Sequence, residues 1–176
     1  DRDGFVMGEG GGFLVLESRS HAAGRGAAIR AELAGIGTSG DAFHMVIPSS
    51  EPAHAARAIR LALEDAGVSA DEVDYVNAHA AGTPVGDVAE AAAIRLAFGS
   101  AADHLPVSST KSMSGHLVSG AAAFEAIACL AAIDRQAVPP TINLDAPDER
   151  CPLDHVAHTA RSRRVAVAAS NSFGFG

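Results

Sequence analysis

The chain has 176 residues, of which 48% are hydrophobic and 19% charged, a composition typical of about one folded domain with a real core. Thirteen basic against twenty-one acidic residues give a formal net charge of -8, which argues against a nucleic-acid-binding protein because such a protein needs a dense basic face. No apolar run reaches the about 18 residues of a membrane span, and no signal peptide is recognised.

The cysteine content indicates a reducing compartment. Cys129 and Cys151 are the two cysteines, and they are too far apart in sequence to suggest a disulfide framework or a zinc pattern. A cytoplasmic protein is therefore expected.

The N-terminal third alternates glycine-rich breaks with apolar runs. FLVLES, residues 13–18, is predicted to be a buried strand, and a second strand is predicted within residues 27–37. Residues 51–67 repeat their apolar positions with a helical period, and a proline in the first turn and a glycine at the end favour a helix there.

The rest of the chain also alternates helices with strands. The alternation, together with strands that are apolar without a polar face, favours a layered α/β domain with helices on both faces of a sheet. The predicted elements are a strand ending near His79, a helix over residues 84–98, a strand over 105–109, a nearly uncharged helix over 117–133 and a last buried strand over 165–170.

Two strand-to-helix turns carry polar groups, NAHAAGTPVGD at residues 77–87 and STKSMSGH at residues 109–116. Ligand sites of open α/β sheets lie beyond the carboxyl ends of strands, so we expect His79 and His116 to share a site. Two neutral imidazoles can donate hydrogen bonds to a thioester carbonyl or a carboxylate on which charge develops. Metal binding is discounted, because no carboxylate or cysteine lies at ligand spacing beside these histidines.

The second turn also contains Lys111. Its position among small hydroxyl residues, just before an apolar helix, predicts partial burial, and a buried ammonium needs a carboxylate. Glu125 is the one acidic residue within residues 117–133 and is the expected partner. A structural ion pair and a catalytic lysine are both compatible with this pattern.

The motifs together resemble one family. They are similar to motifs of the β-ketoacyl-acyl-carrier-protein synthases. The similar segments are KSMSGH with Glu125 downstream, NAH followed by TPVGD, VPPTINLDAPDE, the opening DRDGFVMGEGGGFLVLE and the closing NSFGFG. These are the elongating enzymes of type II fatty acid synthesis and their relatives in aromatic polyketide synthesis. The resemblance covers essentially the whole chain in consistent order.

The resemblance implies a thiolase-like fold of five layers, α-β-α-β-α, built from two similar halves. Residues 1–176 would be the C-terminal half, with the final strand truncated. The implied reaction is a decarboxylative Claisen condensation of an acyl thioester with malonyl-acyl carrier protein. The substrates of this family travel on the phosphopantetheine of the carrier protein, so no resident cofactor is expected. The implied partners are the carrier protein and a second subunit of a homodimer or heterodimer, with no nucleic acid and no membrane.

The resemblance also assigns roles to individual residues. His79 and His116 match the two histidines that stabilise the malonyl thioester during decarboxylation. Lys111 matches the active-site lysine, and Glu125 matches its partner.

Two further residues match the substrate pocket of the family. Thr83 corresponds to a threonine that hydrogen-bonds the pantetheine arm, and Phe175 to a phenylalanine that gates the acyl pocket. The segment after the first histidine departs from the family, where fatty-acid members read HGTST and polyketide members HGSGT; this chain reads HAAGT. Ala80 replaces a glycine and Ala81 a hydroxyl residue, and losing one hydrogen bond costs about 0.5–1.5 kcal/mol, so weaker binding of the carrier arm is expected.

No nucleophile is expected in this chain. The family uses a cysteine of the N-terminal half, whereas Cys129 is predicted in the core and Cys151 in a surface crossing. The chain is therefore not expected to condense alone. An alternative interpretation is a non-condensing, chain-length-determining partner subunit of a polyketide ketosynthase. Such subunits usually lose one or both histidines, and since both are present here a condensing subunit is favoured.

Overall fold

The computed structural model describes residues 2–175; Asp1 and Gly176, the end residues of the opening and closing motifs, lie outside the described residues. The helices of this range are α1 (Arg19–Gly24), α2 (Ala53–Ala66), α3 (Gly86–Phe98), α4 (Lys111–Ser114) and α5 (Ala121–Arg135). The strands are β1 (Tyr75–Asn77), β2 (Pro106–Ser108), β3 (Ala137–Val138), β4 (Asp154–His155), β5 (Arg161–Ser162) and β6 (Ala168–Ser170).

Four of the strands form a parallel sheet. The order across the sheet is β4–β2–β1–β6, and β3 pairs separately with β5 in an antiparallel ladder. Val76 of β1 is in register with Val107 of β2 on one side and with Ala169 of β6 on the other. Because β1 and β2 are parallel neighbours, the turns that follow them leave the same edge of the sheet side by side.

Helices cover both faces of this sheet. Successive side chains of a strand point to opposite faces, and β1 shows both. Val76 packs in an apolar cluster with Ile94 and Phe98 of α3. Tyr75 packs on the other face with Cys129 of α5. The layered α/β arrangement predicted from the sequence is confirmed.

Helix α2 begins and ends close to the predicted residues. Pro52 precedes the first helical residue, and Gly67 follows the last with φ 64° in the left-handed region. The amide of Gly67 donates to the carbonyls of Leu63 and Glu64, which closes the helix. A residue with a side chain would be strained at position 67. Within residues 2–175, no helix is both long and apolar enough to cross a bilayer.

The two strands predicted in the N-terminal third are wrong. Among the described residues, neither 13–18 nor 27–37 belongs to a strand, and Phe13 is 100% exposed. A strand needs a neighbouring ladder for its backbone groups, and no described strand lies alongside these segments. The second segment packs against α2 instead, since a Cβ added at Gly37 would lie 2.0 Å from the carbonyl oxygen of Ala58. These apolar runs therefore form part of the surface of this chain.

The last predicted strand is shorter and less buried than expected. Val165 is buried, but β6 begins only at Ala168, and Ser170 is exposed. The reason is its position in the sheet, because β6 is one of the two edge strands in the described strand order.

Candidate active site

The turns after β1 and β2 meet and bring His79 and His116 together. The centroids of the two imidazole rings are 5.2 Å apart, and the ring planes are close to perpendicular at 84°. Ser109 joins the turns directly, because its hydroxyl donates a hydrogen bond of 3.0 Å to the carbonyl oxygen of Ala80. The two histidines expected to share a site do lie at one edge of the sheet.

A buried carboxylate holds the turn that carries His79. Glu90 of α3 accepts hydrogen bonds from the backbone amides of His79 at 2.8 Å and Ala80 at 2.7 Å. Its Oε1 also accepts from Nδ2 of Asn171 at 3.0 Å. Burial raises the pKa of Glu90, while these donors oppose the rise. The sequence interpretation missed Glu90, although an acidic residue on the apolar face of a helix is a signal that could have identified it.

The N-terminal segment runs alongside His116. The amide of His116 donates to the carbonyl of Val6 at 2.7 Å, and the amide of Gly8 donates to the carbonyl of His116 at 3.0 Å. The Phe5 ring meets the His116 imidazole edge-on, with centroids 5.2 Å apart. Gly115 has φ 71°, and a Cβ there would lie 3.0 Å from the carbonyl oxygen of Val6, so a glycine is needed for this close approach.

Both imidazoles accept a backbone hydrogen bond at Nδ1. The amide of Phe173 donates to Nδ1 of His79 at 3.3 Å, and the amide of Val118 donates to Nδ1 of His116 at 3.2 Å. A neutral imidazole that accepts at one nitrogen carries its proton on the other. Each ring therefore has its hydrogen-bond donor at Nε2.

The surroundings favour the neutral form of both rings. Burial, together with the positive charge of Lys111 and the nearby His116, lowers the pKa of His79 to about 3. Burial, followed by the charge of Lys111, also lowers the pKa of His116 below its usual 6.5. At neutral pH the site thus contains two uncharged N–H donors.

Lys111 and Glu125 form an ion pair in the interior. Their side chains are 5% and 1% exposed, and Nζ of Lys111 donates a hydrogen bond to Oε1 of Glu125. Oε2 of the same carboxylate accepts from the hydroxyl of Ser172 at 3.1 Å. Burial raises the pKa of Glu125, and the hydrogen bond and charge of Lys111 counteract that rise. The expected pair is present, and it is more deeply buried than the sequence pattern suggested.

The two residues assigned to the substrate pocket have different surroundings. The hydroxyl of Thr83 accepts the amide hydrogen bond of Gly86 at 3.2 Å, at the start of α3. Phe175 is 75% exposed. Within the closing motif, the phenylalanine that contacts the histidine pair is Phe173, whose ring centroid lies 5.4 Å from that of His79. The sequence interpretation did not single out this residue.

Neither cysteine is hydrogen-bonded to His79 or His116. Cys129 lies in α5, its Sγ contacts the carbonyl of Ala169 at 3.9 Å, and burial raises its pKa to about 12, which favours the neutral thiol. Cys151 contacts the carbonyl of Asp87 at 3.8 Å and accepts from Arg2 at 3.5 Å. In the part of the chain that the structure describes, no group of three or more His, Cys, Asp and Glu side chains is arranged to hold a metal ion.

Sequence comparison identifies the family. Residues 30–145 match the family described as beta-ketoacyl synthase, C-terminal domain. The chain is 50% identical over 176 residues to the 3-oxoacyl-[acyl-carrier-protein] synthase 2 of Synechocystis, covering 100% of this chain and 42% of that protein. It is 51% identical over 178 residues to the protein of the same name from Vibrio cholerae, covering 100% of this chain and 43% of that protein. The chain belongs to the β-ketoacyl synthase family and spans less than half the length of these relatives.

Solved structures show the same fold. The chain matches a structure described as a type II polyketide synthase acyl-carrier protein in complex with its ketosynthase bound to the hexaketide. The TM-score is 0.96 and the identity 42%, and the match covers 99% of this chain and 43% of that chain. The ishigamide ketosynthase/chain length factor matches with a TM-score of 0.94 and 44% identity, covering 99% of this chain and 42% of that chain. The fold is the thiolase-like fold of ketosynthases.

Proposed function

We propose that residues 1–176 are the C-terminal domain of a β-ketoacyl-[acyl-carrier-protein] synthase, which condenses an acyl thioester with malonyl-acyl carrier protein in fatty acid or polyketide biosynthesis. The observation that carries the proposal is the pair of imidazoles with centroids 5.2 Å apart, each accepting a backbone amide at Nδ1. The names of the relatives and of the structural neighbours support the same class of reaction.

The two Nε2–H donors would bind the thioester carbonyl oxygen of the malonyl group. When the bond between the carboxylate and the α-carbon breaks, its electron pair forms an enolate and negative charge develops on that oxygen. Donors that are already oriented in a pocket poor in water stabilise such charge strongly. The enolate carbon then attacks the carbonyl carbon of the acyl thioester and releases the sulfur nucleophile, which we assign to the part of the synthase outside this chain.

The Lys111–Glu125 pair would support this chemistry from a distance. Burial lowers the pKa of both His79 and His116, and the positive charge of Lys111 adds to that effect, which favours the neutral form of the rings. Glu125 offsets the cost of burying the ammonium. We therefore propose that the lysine acts by setting the electrostatic environment of the histidines.

The substrate would arrive on a carrier protein. We propose that Thr83 hydrogen-bonds the pantetheine arm and that Phe175 gates the acyl pocket. The arm itself brings the reactive thioester, so the proposed reaction needs no resident cofactor. We further propose that the exposed apolar run containing Phe13, which is 100% exposed, is covered by the rest of a dimeric synthase.

The alternative is a chain-length-determining partner that does not condense. One structural neighbour is the ishigamide ketosynthase/chain length factor, so both kinds of subunit occur among similar proteins. The presence of both histidines favours a condensing subunit. The residue at the nucleophile position of the full-length protein distinguishes the two, because cysteine marks a condensing subunit and glutamine a partner subunit.

The full-length protein that contains this chain is expected to release labelled carbon dioxide from malonyl-acyl carrier protein. With an acyl-loaded carrier protein as primer it should also form β-ketoacyl-carrier protein, which mass spectrometry of the carrier detects. A folded full-length protein that releases no carbon dioxide would contradict the proposal. Release without condensation would instead support the partner-subunit alternative.

The site should not titrate in the range where histidines usually do. Because burial and the nearby charges of Lys111 and His116 lower the pKa of His79 to about 3, this ring is expected to stay neutral from pH 8 down to pH 5. Nitrogen-15 NMR of the imidazoles in the full-length protein measures this directly, since a neutral ring has two distinct nitrogen shifts. A change of His79 to the imidazolium pattern with a midpoint near 6.5 would show the assignment to be wrong.

A further inference from the structure

The motif VPPTIN, residues 138–143, passes beside the turn that carries Lys111 and has no part in the function proposed above. Pro139 and Pro140 have no amide hydrogen and a nearly fixed φ, so the first backbone donor after them belongs to Thr141. That amide donates to the carbonyl of Val156 at 2.7 Å. Thr141 is therefore tied to the chain that follows β4, at the edge of the sheet.

Two hydrogen bonds run from this segment to the turn after β2. The hydroxyl of Thr141 accepts the amide hydrogen bond of Ser109 at 2.9 Å. The amide of Ile142 donates to the hydroxyl of Ser112 at 2.9 Å, and that hydroxyl donates in turn to the carbonyl of Ser109 at 2.9 Å. These contacts, called the clasp below, close a ring between the motif and the turn.

The clasp reaches the candidate site through Ser109. Its hydroxyl donates to the carbonyl of Ala80, the residue after His79, while Glu90 accepts the amide of Ala80. Ser109 is only 5% exposed, so its amide depends on a protein acceptor, and Thr141 provides it. One side of Ser109 is thus fixed by the clasp and the other by the histidine turn.

The lysine turn needs such external contacts. Helix α4 is four residues long, and a helix of that length is not stable by itself. The position of α4 therefore depends on the hydrogen bonds that the turn makes to its surroundings. The same holds for Lys111 and for His116, which lies two residues beyond the end of α4. A displacement of about 1 Å at a catalytic group can lower a rate about 10²-fold.

We infer that Thr141 is a positioning residue, which acts through Ser109 to keep the turns of Lys111 and His79 in the arrangement that decarboxylation requires. This inference rests on the proposed function. It gives the VPPTIN motif a role at the site, although no side chain of residues 138–143 is hydrogen-bonded to His79 or His116.

The test compares Thr141→Val, which has nearly the same shape but no acceptor, with Thr141→Ser, which keeps the hydroxyl, in the full-length protein. For Thr141→Val, kcat for carbon dioxide release from malonyl-acyl carrier protein is expected to fall about tenfold or more. The rate of acyl transfer to the nucleophile should stay within about twofold, because that step does not use the two imidazole donors in the proposed mechanism. KM should change less than kcat, because the donors bind the charge that develops during decarboxylation more strongly than the carbonyl of the bound substrate. Thr141→Ser should recover most of the lost kcat.

A general structural role would give a different result. If Thr141→Val has the kcat of the wild type, or if acyl transfer falls in parallel with carbon dioxide release, the inference is overturned. If this variant does not fold, Ser109→Ala replaces it, since it removes the hydrogen bond to the carbonyl of Ala80, through which Thr141 would act on the histidine turn. Unchanged carbon dioxide release in folded Ser109→Ala would likewise overturn the inference.

Hydrogen exchange separates this inference from the proposed function. Amides of residues 109–116 should exchange faster in Thr141→Val than in the wild type and return to slow exchange in Thr141→Ser. If these amides exchange faster in Thr141→Val but the wild-type protein releases no carbon dioxide, the clasp exists and the proposed function fails. Equal exchange in all three proteins means that there is no clasp, whatever the wild-type activity is.

Discussion

The variant His116→Ala of the full-length protein is expected to release carbon dioxide from malonyl-acyl carrier protein about 10²–10³-fold more slowly than the wild type, while acyl transfer to the nucleophile stays largely intact. The substitution removes one of two Nε2–H donors from the position where we expect charge to develop. The effect corresponds to about 2.7–4 kcal/mol, the usual loss when one donor of an oxyanion site is deleted. The acyl transfer step does not use this donor in the proposed mechanism, so the two half-reactions should separate.

A matched control is His21→Ala. His21 lies in α1, and its side chain is 69% exposed, so its removal should leave both half-reactions unchanged. Decarboxylation is followed as release of labelled carbon dioxide, and acyl transfer as labelled protein after a quench. Folded His116→Ala with the wild-type rate of carbon dioxide release would refute the role assigned to this histidine.

The second large effect is expected at the buried ion pair. Glu125→Leu leaves the Lys111 ammonium without its carboxylate, in a place where that side chain is 5% exposed. Removing one partner of a buried pair costs about 3–5 kcal/mol of unfolding free energy, because the remaining charge is not compensated. Lys111→Met should be similarly destabilising, since among residues 2–175 it leaves the carboxylate with only the Ser172 hydroxyl as a side-chain donor.

The double variant Lys111→Met/Glu125→Leu distinguishes a stabilising pair from a functional one. Replacing both charges by apolar side chains of similar size is often neutral or stabilising, so the double variant should recover most of the lost unfolding free energy. Its rate of decarboxylation should remain low, because the positive charge that Lys111 places near His79 and His116 is lost. Denaturant unfolding of the full-length proteins provides the first readout and carbon dioxide release the second. A double variant with wild-type activity would leave the pair a purely structural role.

Much of the site could be predicted because its determinants are local. His79 and His116 follow two apolar strands, and parallel neighbouring strands end at the same edge of a sheet, so their proximity follows from the strand order. The Lys111–Glu125 pair could be anticipated from the need of a buried ammonium for a carboxylate, together with the lack of another acid within residues 117–133. The fold class followed from the alternation of helices with apolar strands.

Other parts of the site could not be predicted, because they depend on contacts between distant segments. Phe173 donates its amide to His79, and Val6 accepts the amide of His116, and both are backbone contacts that have no side-chain signature in a sequence. The clasp of Thr141 on Ser109 is of the same kind. Such contacts exist only once the chain has brought the segments together.

The sequence by itself determined the approximate ends of α2 and α3, the strands β1 and β2, the residues that carry the polar groups and the family, because each of these depends on residue type and short-range spacing. Gly67 ends α2 with a left-handed φ that its lack of a side chain allows, and no distant contact is needed for that. Only the tertiary structure decided whether an apolar run becomes a strand. FLVLES has the composition of a buried strand, yet residues 13–18 form no strand and Phe13 is fully exposed. A strand forms only where a neighbouring strand satisfies its backbone hydrogen bonds.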